Sequence, residues 1–406
     1  MLDGAEPPMT EECCIYRVPY DIRRLNEDAY TPKVVSIGPF HRNNGRLKNM
    51  ERHKLKYFKG FVDRSEAKED ALVSLMEQIE ASVRRCYSEA VDLSREDFIK
   101  VILVDACFII EYFWRFHYHE WAGDDIIVLK PWLATDVRLD LLLLENQLPF
   151  FVLEKLYNLA FASRLGTSDP SFIDLTFDYF AYYNNQGLST HVIIKHFTDL
   201  LRTFHLQPFN RRPRRKDEQV THLQSATELL EAGVKFKASE SPCLLDMRFS
   251  KKVLEIPKVK VEDWTELLFR NLVALEQCHY PYESYITDYV AVLDFLINTG
   301  GDVDVLVQNG IILNWLGDSN SVADLFNSLW KNITQANFSS HYLKLCNDLD
   351  AFYKDPWHHK KATLRRDYCN TPWQTAASVA GIVILILSLI QSVCSVIQVV
   401  QQSSQK

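Results

Sequence analysis

The stretch Leu141 to Phe151 reads LLLLENQLPFF and sets Glu145, Asn146 and Gln147 among large apolar side chains. A buried carboxylate or amide is costly unless it is paired or hydrogen-bonded. The segment RNLVALEQC repeats the situation with Arg270, Asn271, Glu276 and Gln277. Two kinds of chemistry would place such groups there. One is a structural network, for example with Arg270 pairing to Glu145 or to Glu276. The other is a polar pocket in which Glu145 serves as acid or base, since buried carboxylates acquire shifted pKa values. No partnered nucleophile and no metal-ligand set accompanies these residues, which favours the network. No residue is therefore assigned to catalysis, to a cofactor or to a metal.

Other reactive residue types are scattered. His117, His119 and Glu120 lie in FHYHEW, where alternate positions on a helix point apart. Neither HExxH, GxSxG, GxGxxG, a Walker phosphate loop nor an EF-hand loop occurs. Nine cysteines without a CxxC pair fit neither a disulfide framework nor a zinc ribbon. A net charge of −8 argues against a nucleic-acid partner. The basic run Arg211 to Lys216 resembles an import or phosphate-binding patch, with a solvated loop as the simpler reading.

The elements that must position these groups are mostly helical. Ser65 to Cys86 carries Leu72, Leu75, Met76, Ile79 and Val83 at helical spacing. Ser94, with Asp97 three residues on, caps a helix that is apolar almost all round from Phe98 to Trp114. Further helices are expected over Asp140 to Leu148, from Pro149 to about Ala162, and over Phe172 to Tyr183. Another opens at Ser189 or Thr190 and buries Val192, Ile193 and Phe197. Beyond the charged stretch, helices follow over Thr221 to Ala232, Leu267 to Gln277 behind an Asp263/Glu266 capping box, Tyr285 to Ile297, Val322 to Ile333 and Ser339 to Phe352. Val234 to Lys237, Leu244 to Phe249 and Val253 to Ile256 suggest a small antiparallel sheet. The organisation expected is a tail over 1–14, a helical first half over 15–206, a charged loop over 207–220, a second half over 221–370, an anchor over 371–402 and a short tail over 403–406. The fold class is mainly α: a multi-helix globular body with a small antiparallel β element and one C-terminal transmembrane helix.

That anchor is the clearest signal. Ala376 to Val400 contains no charged residue. Its length as a helix, roughly 37 Å, exceeds a hydrocarbon core of ~30 Å. Fourteen Ile, Leu and Val residues favour insertion by about 4 to 8 kcal/mol. Lys360, Lys361, Arg365 and Arg366 precede it and only Lys406 follows, which places the body in the cytosol. Ala377, Gly381, Ile384, Ser388, Gln391, Ser395 and Gln398 fall on one stripe of mostly small or polar residues. Such a stripe suits self-association or pairing with another membrane helix.

The stretches IYRVP (15–19), AYTPKVVSIGPFH (29–41), LKNMERHKLKYF (47–58), VDACFIIEYF (104–113), LLLLENQLPFFVL, IPKVKVEDWTELLFRNLVALEQC (256–278) and GIILNWLG (310–317) resemble the plant domain-of-unknown-function 247 family. The resemblance covers nearly the whole chain, although Ala106 stands where a glycine is common in the family. It implies a land-plant protein with a C-terminal membrane segment and no established enzymatic activity. Some grass relatives are implicated as pollen-side determinants of self-incompatibility, which implies recognition of another protein. That role would want the body outside the cell, whereas the flanking charges place it inside. The competing reading is a membrane-associated enzyme using the Glu145/Arg270 cluster.

Overall fold

The computed structural model describes residues 12–164, 169–356 and 372–403. Its axis is the helix Arg95–Tyr118. The Ser94 hydroxyl accepts from Asp97 N–H at 3.0 Å and fixes the start of that helix. Its Phe98–Trp114 stretch is buried almost all round because Lys48–Arg64, Glu69–Arg85, Phe150–Ala160 and Phe172–Tyr179 pack on different sides of it. Phe113 stacks on Tyr179 with ring centroids 4.3 Å apart and meets Phe172, Phe180 and Phe197 on its other sides. One apolar core runs from Cys14 to Phe352 and crosses the charged stretch between the two halves. Thr265–His279 joins them, packing on Phe197–His205, Tyr285–Leu296 and Ser319–Leu329.

Chain order near residue 240 departs from the expectation of a purely antiparallel sheet. Arg248–Ser250 and Val253–Pro257 form an antiparallel hairpin, but Lys235–Ser239 joins Val253–Pro257 in parallel. Lys251 and Lys252, at φ 48° and 70°, make the two-residue turn that this hairpin twist requires. Leu244 to Met247 is not a strand. Its carbonyls bond instead to side chains of the helix Ser340–Lys354, Tyr342 Oη donating to Leu245 O and His341 Nε2 to Met247 O. Two smaller pairings complete the β content: Val259–Val261 with Ile312–Asn314, and Arg215–Lys216 with Phe338–Ser339.

Two helix expectations fail, and one expected cap is absent. The helix Pro131–Asp140 stops at Asp140, and residues 141–149 are buried but irregular. The helix expected from Ser189 begins only at Phe197, behind an N-cap from His196, and leaves Ile193 99% exposed. Thr265–His279 has no capping box. Glu266 bonds Asn26 and Arg270, and the Thr265 hydroxyl takes the Glu262 amide. In the first two cases side-chain hydrogen bonds hold backbone that apolar periodicity alone reads as helix.

The C-terminal helix spans Pro372–Ser403. Its window Ala380–Ile397 has a mean hydropathy of 2.5 and none of it is buried against the body, so it is long and apolar enough to cross a membrane. On the stripe, Gly381 has no heavy atom within 4 Å of the position a Cβ would take. The Ser395 hydroxyl bonds back to Gln391 O, and Ser388 O accepts from Ser392. The side chains of Ala377 and Gln398, and the four cations ahead of the helix, lie outside the described residues.

Candidate functional site

Two largely irregular segments, 13–41 and 141–149, run against each other in the first half, the former broken only by short helical turns at Tyr20–Arg23 and Glu27–Tyr30, and the polar residues of LLLLENQLPFF sit between them. Outside those turns their backbone amides must find other acceptors. Asn146 supplies one: its Oδ1 accepts Ile37 N–H at 2.7 Å while its Nδ2 donates to Val35 O and Asp140 O. Gln147 donates to Leu141 O and Leu143 O and accepts Phe197 N–H, which ties the segment to the start of the next helix. Asn271 reaches across from Thr265–His279 to accept Leu144 N–H and to donate to Ala29 O.

Glu145 is the charged member. Its Oε1 accepts Val18 N–H at 2.9 Å and Arg23 Nη1 at 2.7 Å. Its Oε2 faces Arg17 Nη1 and His41 Nε2, each at 3.1 Å. Burial works to raise its pKa, but His41, Arg23 and the Val18 amide together hold it below the usual carboxylate range. Its side chain has no exposed surface. Arg17 also lies 4.5 Å over the Phe40 ring and donates to Phe40 O, and the one carboxylate fastens four residues of the N-terminal segment: Arg17, Val18, Arg23 and His41.

Glu276 forms a separate cluster. It accepts Arg202 Nε at 3.0 Å, the amides of Ile286 and Thr287, and the Thr287 hydroxyl. Arg202 lies 3.9 Å over Tyr280, whose hydroxyl donates to Asp199. Arg270 meets neither Glu145 nor Glu276; it pairs with Glu266 at 2.7 Å and with the Ser328 hydroxyl. The single network with Arg270 at its centre is thus replaced by several local ones, because Arg270 and Glu276 occupy different turns and faces of one helix. Gln277, half-buried, accepts Thr334 N–H.

Sequence reading missed the partners. Asp140 accepts three consecutive amides, Lys33, Val34 and Val35, each at 2.8 Å, with burial pushing its pKa up to about 7. Asp105 accepts Gly38 N–H and pairs with the buried Lys54. Gly38 itself is at φ 70°, and a Cβ there would stand 2.8 Å from Gln147 O, so only glycine fits. Arg215, in the basic run, turns inward to Asp288, Ser284 and Asn337. Nothing in the pattern of a polar run distinguishes an inward arginine; only the lone apolar-embedded Asp288 signals that a cation is needed. The expected divergence of His117 and His119 also holds. His117 pairs with Asp178, and His119 ends its helix at φ 55°. Among the described residues no group of three His, Cys, Asp or Glu side chains is arranged to hold a metal ion.

A family model described as plant protein of unknown function, DUF247, matches residues 15–387. The chain belongs to this family. The UPF0481 protein At3g47200 of Arabidopsis thaliana is 30% identical, over 95% of this chain and 87% of the relative. A second Arabidopsis UPF0481 protein, At3g02645, is 21% identical over 93% of this chain and 89% of its own length. No solved structure matches. In this DUF247 chain the polar residues of the motifs act on backbone: they stand in for the hydrogen bonds that secondary structure would otherwise provide.

Proposed function

We propose that this DUF247 protein is a single-pass membrane protein whose helical body acts by binding another protein rather than by catalysis. The observation that carries the reading is an exposed aromatic rim where the two halves meet. Tyr182 and Leu313, 51% and 45% exposed, line a cleft of 250 Å³ together with Trp264, Lys258 and Lys260, and Trp315, 67% exposed, stands beside it. Lys260 Nζ lies 3.7 Å from the Trp315 ring centre. Protein interfaces are enriched in such aromatic anchors, and a contiguous exposed apolar rim marks an interaction surface. The apolar helix with no contact to the body supports the tether, and the flanking cations favour a body on the cytosolic side. Recognition in pollen self-incompatibility is one specific form of this role. No cofactor and no nucleic acid enter it.

The competing reading, an enzyme built on Glu145 and Arg270, needs a carboxylate able to exchange a proton with substrate. Both oxygens of Glu145 are engaged and enclosed, and Arg270 is paired elsewhere. A photoreactive amino acid placed at Trp315 of the full-length protein in plant membranes tests the binder. It should give a discrete cross-linked adduct, while the same label at the exposed Lys344 gives none. No adduct at Trp315, or the same adducts from both positions, would contradict the assignment.

A further inference from the structure

On the first half, a second cleft of 320 Å³ opens between the end of the central helix, the helix Pro131–Asp140 and the helix Phe172–Tyr179. Its walls are aromatic, with Tyr112, Phe116, Trp121 and Tyr179, and its floor carries one guanidinium, Arg138. Among the described residues Arg138 forms no ion pair, and its Nε is buried with no acceptor. The face of Tyr182 lies 6.0 Å away, at the outer limit of a cation–π contact. The hydroxyl of Tyr183 is likewise buried without a partner. A position in the last turn of its helix accounts for the sign of this charge, but not for burying its Nε beside phenol rings. Elsewhere in this body inward-turned arginines, such as Arg202 and Arg215, are matched by carboxylates. Arg138 is the exception, and it faces a cavity of a size that takes a small molecule.

We infer that this cleft is a binding site for a small organic carboxylate with an aromatic or apolar body. The planar guanidinium offers two parallel donors to a carboxylate, which a lysine would not. The ring of the ligand would lie against Tyr112, Phe116 and Tyr179, and the carboxylate would supply the acceptor that Arg138 Nε lacks. The site borders the aromatic rim around Trp315 only through Tyr182 and shares nothing with the buried Glu145 cluster, and ligand binding at Arg138 is read apart from the proposed function.

Phenylacetate and its neutral isostere phenylacetamide test this on the full-length protein in detergent micelles, by ligand-observed NMR and calorimetry up to the millimolar concentrations suited to fragments of this size. Phenylacetate should bind at least tenfold more tightly than phenylacetamide. Arg138→Gln should remove that preference, and Arg138→Lys should restore only part of it. Thr135→Trp, on the exposed edge of the same helix, leaves the charge in place and fills the cleft. It should abolish binding of both compounds, and it keeps the test alive if the arginine variants fold poorly. Equal affinity for the two compounds, no saturable phenylacetate binding, or phenylacetate binding undiminished by Thr135→Trp would overturn the assignment.

Discussion

Replacing Glu145 with Gln should cost the body about 3 kcal/mol. The carboxylate meets donors on both oxygens: Val18 N–H and Arg23 on Oε1, Arg17 and His41 on Oε2. An amide can turn its oxygen to only one of these sides, so its NH₂ must confront donors on the other. Removing one partner of a buried ion pair costs about 3–5 kcal/mol, because the remaining charge is stranded. Arg17 and Arg23 are 34% and 23% exposed and can recover some hydration, which places the loss at the lower end. Because the folded pKa of Glu145 is lowered, its contribution is present above the unfolded value of 4.5 and is lost as the pH falls below it. The variant should therefore also flatten the acid limb of stability. Urea unfolding of the full-length protein in micelles, followed by tryptophan fluorescence, reads the midpoint shift at constant slope. Arg270→Gln is the control: it breaks one pair and one hydroxyl contact and should cost only about 1–2 kcal/mol. A loss below about 1 kcal/mol for Glu145→Gln, or an equal loss for both variants, would refute the reasoning.

The remaining predictions concern pH, the basic run and the membrane helix. His196 is buried and neutral, bonding Cys14 O through Nε2 and accepting Asp199 N–H at Nδ1, and burial lowers its pKa to about 4. Its folded value is depressed, so its contribution is intact above pH 6.5 and is lost as the pH falls toward 4. The wild type should lose up to about 1.4 kcal/mol per pH unit more than His196→Gln across that window, measured by urea midpoints; parallel curves would contradict this. Asp140 works in the opposite direction in both proteins and cancels in the comparison. Arg215→Met should destabilise by about 3–5 kcal/mol by stranding Asp288, while Arg211→Ala, on the exposed part of the same run, should stay within about 0.5 kcal/mol. Equal effects on thermal unfolding would return Arg215 to the solvated loop. Gly381→Leu with Gln391→Leu should lower cross-linked dimer in membranes several-fold, and unchanged yield would remove the stripe as an association face.

Helix positions, the cap at Ser94 and the apolar C-terminal segment were legible because each has a local signal: spacing, a hydroxyl three residues before an acid, an uncharged run. Residues 141–149 were not. Four leucines before ENQ look like one more buried helix, and periodicity does not separate a buried helix from buried irregular chain. The information lay in the amides themselves, since Asn146 and Gln147 have donors and acceptors to spend on backbone. Their targets, Val35, Ile37 and Phe197, are distant in sequence and could not be named. Arg270 was misassigned for the opposite reason: charge complementarity says that it needs an acid, and the one it takes, Glu266, lies one turn away on its own helix rather than across the fold. The cleft at Arg138 left no trace in the sequence, because an arginine among mixed residues reads as surface.

The central claim is that side chains of the motif residues hold irregular backbone in the core. Amide hydrogen exchange of the full-length protein tests it most directly at Val18, Lys33, Val34, Val35, Ile37, Gly38 and Leu144, whose N–H groups bond only to Glu145, Asp140, Asn146, Asp105 and Asn271. These amides should be protected to the level of the central helix Arg95–Tyr118. Exchange as fast as that of the exposed stretch around Arg211 would contradict the account.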